Sequence, residues 1–162
     1  MLNSLFMEMI RYYHGDAAHI QHFVKVHAFA KLIGEREHLD ENEQEILEAA
    51  AYVHDIGIKP ALSKYGSCGG KLQEQEGPPV AKEMLERLGF EAALVERVCY
   101  LVAHHHTYTG IDGMDYQILV EADFLVNLYE EGKSEKTAAE VLKKIFRTDS
   151  GKQICREMFL VK

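Results

Sequence analysis

The stretch EAAAYVHDIGIKP, residues 48–60, decides how this chain folds. Three consecutive alanines lead into Tyr52 and Val53, an apolar run with good helical propensity. The run ends on His54 and Asp55, and Gly57 and Pro60 then stop the helix. A helix this apolar belongs in a core, so its two terminal polar side chains need a partner. Burying an imidazole or a carboxylate without one is costly. The search for that partner leads outward along the chain.

Upstream, Asp40 and Glu43 have capping-box spacing, so this helix starts after DENE and runs to about residue 55. Residues 1–13 read as a first helix, which HGD at 14–16 breaks. Asp16 can cap a second helix over roughly 17–37, with His22, Val26, Phe29 and Ile33 on one stripe. Downstream, ALSKYGSCGGKLQ at 61–73 reads as a glycine-rich loop. A fourth helix is expected to begin near Pro78 or Pro79, which suit a first turn, and to end at Gly89. Further helices are expected over about 91–105, 115–131 and 135–147, with a short docked helix in the tail GKQICREMFLVK. No segment alternates with period two. The sequence therefore predicts an all-α fold, a compact helical bundle forming a single domain over 1–162.

The totals agree with one ordinary globular domain: 162 residues, 47% hydrophobic and 27% charged. No run of 18 apolar residues exists, so no membrane span is expected. The N-terminal stretch lacks the basic region and cleavage site of a signal peptide. Cys68, Cys99 and Cys155 are odd in number and show no CxxC spacing, which fits a reduced, cytoplasmic setting and disfavours a zinc finger. A net charge of −8 argues against binding polymeric nucleic acid or anionic membrane. It leaves room for an anionic small molecule, because a bound metal ion can reverse the local field.

Four of the expected helices carry polar residues on inward stripes. His22 precedes Val26 by four; His54 lies seven after Leu47; His105 lies seven after Val98; Asp123 lies four after Leu119. Each one alone is ordinary, since one hydrogen bond satisfies a core histidine. Taken together they share one possible partner, a divalent metal ion.

The order His22, then His54-Asp55, then Asp123 resembles the HD-domain superfamily of metal-dependent phosphohydrolases. HIQHFVKVHAFA is similar to that family's first-motif helix, AAAYVHDIG to its signature and VEADFLVN to its last motif. The likeness covers a motif core of about residues 12–130, leaving C-terminal helices over 134–160. It implies a bundle of helices around one or two metal ions and hydrolysis of a phosphate ester, often of a nucleotide. It carries metal ligation to His22, His54, Asp55 and Asp123. His19, one turn before His22, is either a support for the site or a surface histidine.

The middle of the pattern departs from two-metal members, which have another histidine and then a His-His pair. Glu76 of QEQEGPPVAKEMLERLGF falls where that histidine would stand, with a solvated acidic first turn as the other reading of Glu74 and Glu76. AHHHTY at 103–108 over-supplies the pair. At 100° per residue helical phase favours His105 and then His104, with His106 outside unless the helix ends there. HDIGIK is one residue longer than the usual family text. Lys59 or Lys64 could hold a substrate phosphate, or be a loop lysine.

The expected chemistry is hydrolysis of a small phosphorylated metabolite, possibly a nucleotide. His22, His54, Asp55 and Asp123 would hold one ion, and Asp55, Glu76, His104 and His105 a second. The ions would be Mn, Fe, Co, Ni or Zn, with Mg possible. Asp55 could also orient the water. The proton donor to the leaving group stays open between Lys59 and a spare histidine. Two other readings share the scaffold: a non-hydrolytic ligand-binding or sensing module that keeps the metal, and a di-iron oxygenase.

Overall fold

The alanine run becomes the centre of the molecule. In the computed structural model, which describes residues 1–162, it forms helix α3 (Glu41–Val53), closed at its start by the reciprocal Asp40–Glu43 capping box. Every residue from Ile46 to Val53 is buried, so the helix is enclosed on all sides. The one carboxylate within that run, Glu48, accepts from Gln44 and faces His27 Nε2 at 2.9 Å. Around α3 pack α1 (Leu2–Tyr12), α2 (Ala17–Arg36), α6 (Ala92–His104) and α7 (Met114–Glu130). Helix α4 (Ile58–Tyr65) leans on α5 (Gly70–Arg87), which packs along α6. Helices α8 (Glu135–Ile145) and α9 (Asp149–Phe159) pair with each other against α7. There is no strand, and no helix is long and apolar enough to cross a membrane.

Two parts of the expected layout are corrected. Residues 61–73 are not a loop: they hold the end of α4 and the start of α5. Likewise, no helix begins at Pro78 or Pro79, because α5 starts at Gly70 and runs through both. A proline inside a helix forfeits a hydrogen bond and costs about 3 kcal/mol in isolation. Here tertiary bonds anchor the preceding turns and offset that cost. Gln73 donates to Cys68 O at 2.7 Å, and Glu74 accepts from His106 N at 3.0 Å and Thr107 Oγ1 at 2.8 Å.

The end of α3 is held from two sides. Two tyrosines closing α1 donate to the carbonyls of the turn that follows α3: Tyr13 to Asp55 O at 2.7 Å and Tyr12 to Ile56 O at 2.9 Å. Asp55 O also accepts from Ile58 N at 3.0 Å, so the Tyr13 bond adds a second hold on this turn. On the far side, Gly57 lets α4 and α5 touch. A Cβ there would lie 2.5 Å from Gln73 O and 2.7 Å from Gly77 N, both backbone atoms. At the other end of the molecule, the fully buried carboxylate of Glu121 binds α8–α9 to α7. It accepts from Gln117 Nε2 at 2.6 Å, Thr148 Oγ1 at 2.7 Å and the amides of Arg147 and Thr148.

Because neither backbone atom facing Gly57 can move cheaply, Gly57→Ala is expected to destabilise the protein by about 1–3 kcal/mol. Urea denaturation would show it as a lower midpoint at unchanged slope.

Candidate metal centre

Helices α3 and α6 end at the same place. His54 is the C-terminal cap of α3 and His105 that of α6. Each turns its Nδ1 back onto the carbonyl three residues earlier, His54 to Ala51 O at 2.8 Å and His105 to Val102 O at 2.7 Å. One bond thus satisfies a helix-end carbonyl and fixes the tautomer, since only a protonated Nδ1 can donate. The Nε2 lone pairs of both rings then point into the interior. His22, from the middle of α2, is set the same way by Glu130, whose Oε1 lies 2.5 Å from His22 Nδ1. Glu130 stands seven residues after Asp123 on α7, two turns along the same face.

Four acceptor atoms therefore converge. His22 Nε2 lies 3.2 Å from His54 Nε2, 3.1 Å from Asp55 Oδ2 and 3.2 Å from Asp123 Oδ1. His54 Nε2 lies 3.3 Å from Asp55 Oδ2 and 3.4 Å from Asp123 Oδ1. Ligand atoms about 2.0–2.2 Å from a common ion stand roughly 2.8–3.6 Å apart, for angles between square and tetrahedral. Asp123 Oδ1 is buried and has no hydrogen-bond partner. Two imidazole lone pairs and two carboxylates without a donor among them fit a cation, and His22, His54 and Asp123 could hold a metal ion.

A second group adjoins the first. Asp55, His105 and His106 bring ligand atoms within 4.8 Å of one another and could also hold an ion. Asp55 belongs to both, offering Oδ2 to the first and Oδ1, 3.4 Å from His105 Nε2, to the second. Gln73 Oε1 closes this group at 3.3 Å from His105 Nε2 and 3.0 Å from His106 Nε2. Both groups open on one cleft of about 340 Å³, lined also by His19, Asn127, Glu130 and Glu131.

The structure brings His22, His54, Asp55, Asp123 and His105 together. Four expected placements are corrected. Glu76 points away from Asp55, pairing with Lys64 Nζ at 2.6 Å and accepting from Tyr65 at 3.0 Å, because α5 begins two turns before the prolines and turns that face toward α4. Lys64 is committed to Glu76 for the same reason. His104 bonds Tyr100 O and stacks on the Tyr100 ring, outside the cleft, because it is the last residue of α6. The turn beyond it swings His106 inward. Lys59 donates to Tyr12 O at 2.6 Å and sits over the Tyr12 ring, lining a neighbouring cleft. His106 and Gln73 were missed. The helix end that admits His106 has no glycine or proline to mark it, and Gln73 lay in a segment that reads as a loop.

Without an ion, protons fill the centre. Burial opposes a charged His22, but Asp123 and Asp55 outweigh it and push its pKa up to about 10. His54 is also raised against burial, by the same two carboxylates. Burial likewise opposes charge on Asp55 and Asp123, and His54 foremost holds both below the usual carboxylate range. A raised histidine pKa stabilises the fold fully below about 6.5 and is lost as pH rises through about 10. Metal-free protein is therefore expected to lose stability from about pH 7 to 10. Added Zn or Mn should raise Tm most at the alkaline end, where ion and proton no longer compete. Melts with and without chelator check this, and Asp123→Asn should remove the metal-dependent rise. Because Glu130 aims His22, Glu130→Gln is expected to weaken metal binding by about 10–100-fold in calorimetric titration.

The family model of the HD domain matches residues 19–150. The fold is similar to the crystal structure of a predicted HD superfamily hydrolase from an uncultured Thermotogales bacterium, with a TM-score of 0.65. Identity is 24%, over 96% of this chain and 82% of that one, and at that level the likeness concerns the fold. No curated protein matches this chain significantly. With the match spanning most of the sequence and the His22, His54-Asp55 and Asp123 cluster at its centre, the chain belongs to the HD-domain family.

Proposed function

We propose that the protein is a metal-dependent phosphohydrolase acting on a small phosphorylated metabolite, with nucleotides among the candidate classes. The observation that carries this reading is Asp55, whose two oxygens face two adjoining groups of nitrogen and oxygen acceptors on one open cleft. His22, His54, Asp55 and Asp123 would hold one ion, and Asp55, His105, His106 and Gln73 a second. The donors are nitrogen and oxygen only, which suits Mn, Fe, Co, Ni or Zn, with Mg less suited to the imidazoles. Bound ions supply a water of lowered pKa and a counter-charge for phosphoryl oxygens.

The chain's own residues set the rest. His22 is aimed by Glu130, His54 and His105 by their helix-end carbonyls, and Asp55 by the Tyr13 bond on its backbone. His106 stays unprotonated and free to ligate, since burial, reinforced by His105, pushes its pKa down to about 4. No lysine or arginine lines the cleft. A substrate phosphate thus has no cationic side chain to meet it, which agrees with a metal taking that role. The acidic cleft and the net charge of −8 speak for a small substrate and against polymeric nucleic acid or a membrane. Three free cysteines fit a reducing, cytoplasmic setting.

Phosphate release across a panel of nucleotides, sugar phosphates and other small esters, with each metal in turn, tests the proposal. Activity with at least one pair is expected, and Asp55→Asn should lower it by at least about a hundredfold while reducing metal content. No release with any pair overturns the reading. Oxygen uptake by iron-loaded protein in its place would point to the oxygenase alternative.

A further inference from the structure

One more side chain on the cleft wall is unaccounted for, His19. Helix α2 places it one turn ahead of His22. Its Nδ1 lies 2.5 Å from Asp16 Oδ2, and its ring stacks on Tyr13 with centroids 4.9 Å apart and planes 8° apart. Both supports are themselves fixed. Asp16 caps α2, its Oδ1 accepting from His19 N at 3.1 Å, and Tyr13 is tied to Asp55 O. The carboxylate therefore keeps a proton on Nδ1 and fixes the ring with Nε2 turned away from Asp16. That Nε2 has no partner in the protein, whereas His22 and His106 turn their Nε2 atoms to the two candidate ion groups and Lys59 is held outside the cleft by Tyr12 O. His19 is the one imidazole on this wall with a nitrogen to spare and a carboxylate behind it.

We propose that His19, positioned by Asp16, protonates the leaving oxygen when the phosphate ester is cleaved. The assignment rests on the phosphohydrolase reading. In that step the bond from phosphorus to the ester oxygen breaks and a water oxygen bonds to phosphorus. The proton on Nε2 passes to the ester oxygen, and the proton shed by the water returns to His19 through solvent. Ester and water become alcohol and phosphate, with no further reactant. Asp16 gives up no proton and serves to hold the ring.

The test compares two esters on metal-loaded protein. An alkyl ester such as glycerol phosphate leaves as a strongly basic alkoxide that needs a proton; p-nitrophenyl phosphate leaves as a stable phenolate that does not. His19→Gln is expected to slow the alkyl ester by roughly a hundredfold or more and the aryl ester by less than about threefold, at unchanged metal content. Asp16→Asn keeps the helix cap but removes the charge behind the ring, and is expected to show the same selective loss to a smaller degree. Equal loss on both esters, no loss on either, or a fall in metal content overturns the His19 assignment alone. Wild type that cleaves neither ester with any metal overturns the phosphohydrolase reading and the assignment with it.

Discussion

Four atoms that accept hydrogen bonds when unprotonated face one another in the interior of this protein, two imidazole nitrogens and two carboxylate oxygens. Left alone they would repel. Only protons or a cation can hold them together, and each surrounding element is set so that this remains true. The Nδ1 atoms of His22, His54 and His105 are all occupied by oxygen, so their Nε2 lone pairs cannot turn away. Two of those oxygens are the last carbonyls of buried helices. The negative ends of α3 and α6 thus point at the centre and favour positive charge there.

Such a centre needs rigid walls. Helix α3 supplies one because it is buried all round and cannot rotate without exposing alanine faces. Tyr12 and Tyr13 add another from α1, a helix outside the segment that the HD family model matches. The same Tyr13 touches both the backbone of Asp55 and the ring of His19, so one side chain joins the centre to the cleft rim. The second group is built more loosely. Its histidines lie in a turn beyond α6, held by Glu74, and its fourth ligand candidate is a neutral amide.

What the sequence by itself determined was the frame and the first group. Helical spacing and caps placed seven of the nine helices near their positions, and the apolar stripes singled out His22, His54, His105 and Asp123. Those signals are local: a residue four or seven places from a core leucine shares its face whatever the rest of the chain does. The order of motifs then pointed to the family, and Asp55 came with it.

Tertiary structure alone decided the second group. Two prolines read as a helix start because the propensity scale knows only the missing N–H, while the bond from Gln73 to the preceding turn and those from Glu74 and Glu76 to other elements carried α5 back to Gly70. That shift of two turns exchanged Glu76 for Gln73 at the centre. The end of α6 at His104 likewise exchanged His104 for His106, for no glycine marks it and the stop is made by Glu74 and Tyr116 bonding the turn from across the fold. Helix phase is written in sequence, but where a helix ends depends on which distant groups satisfy its last carbonyls and first amides.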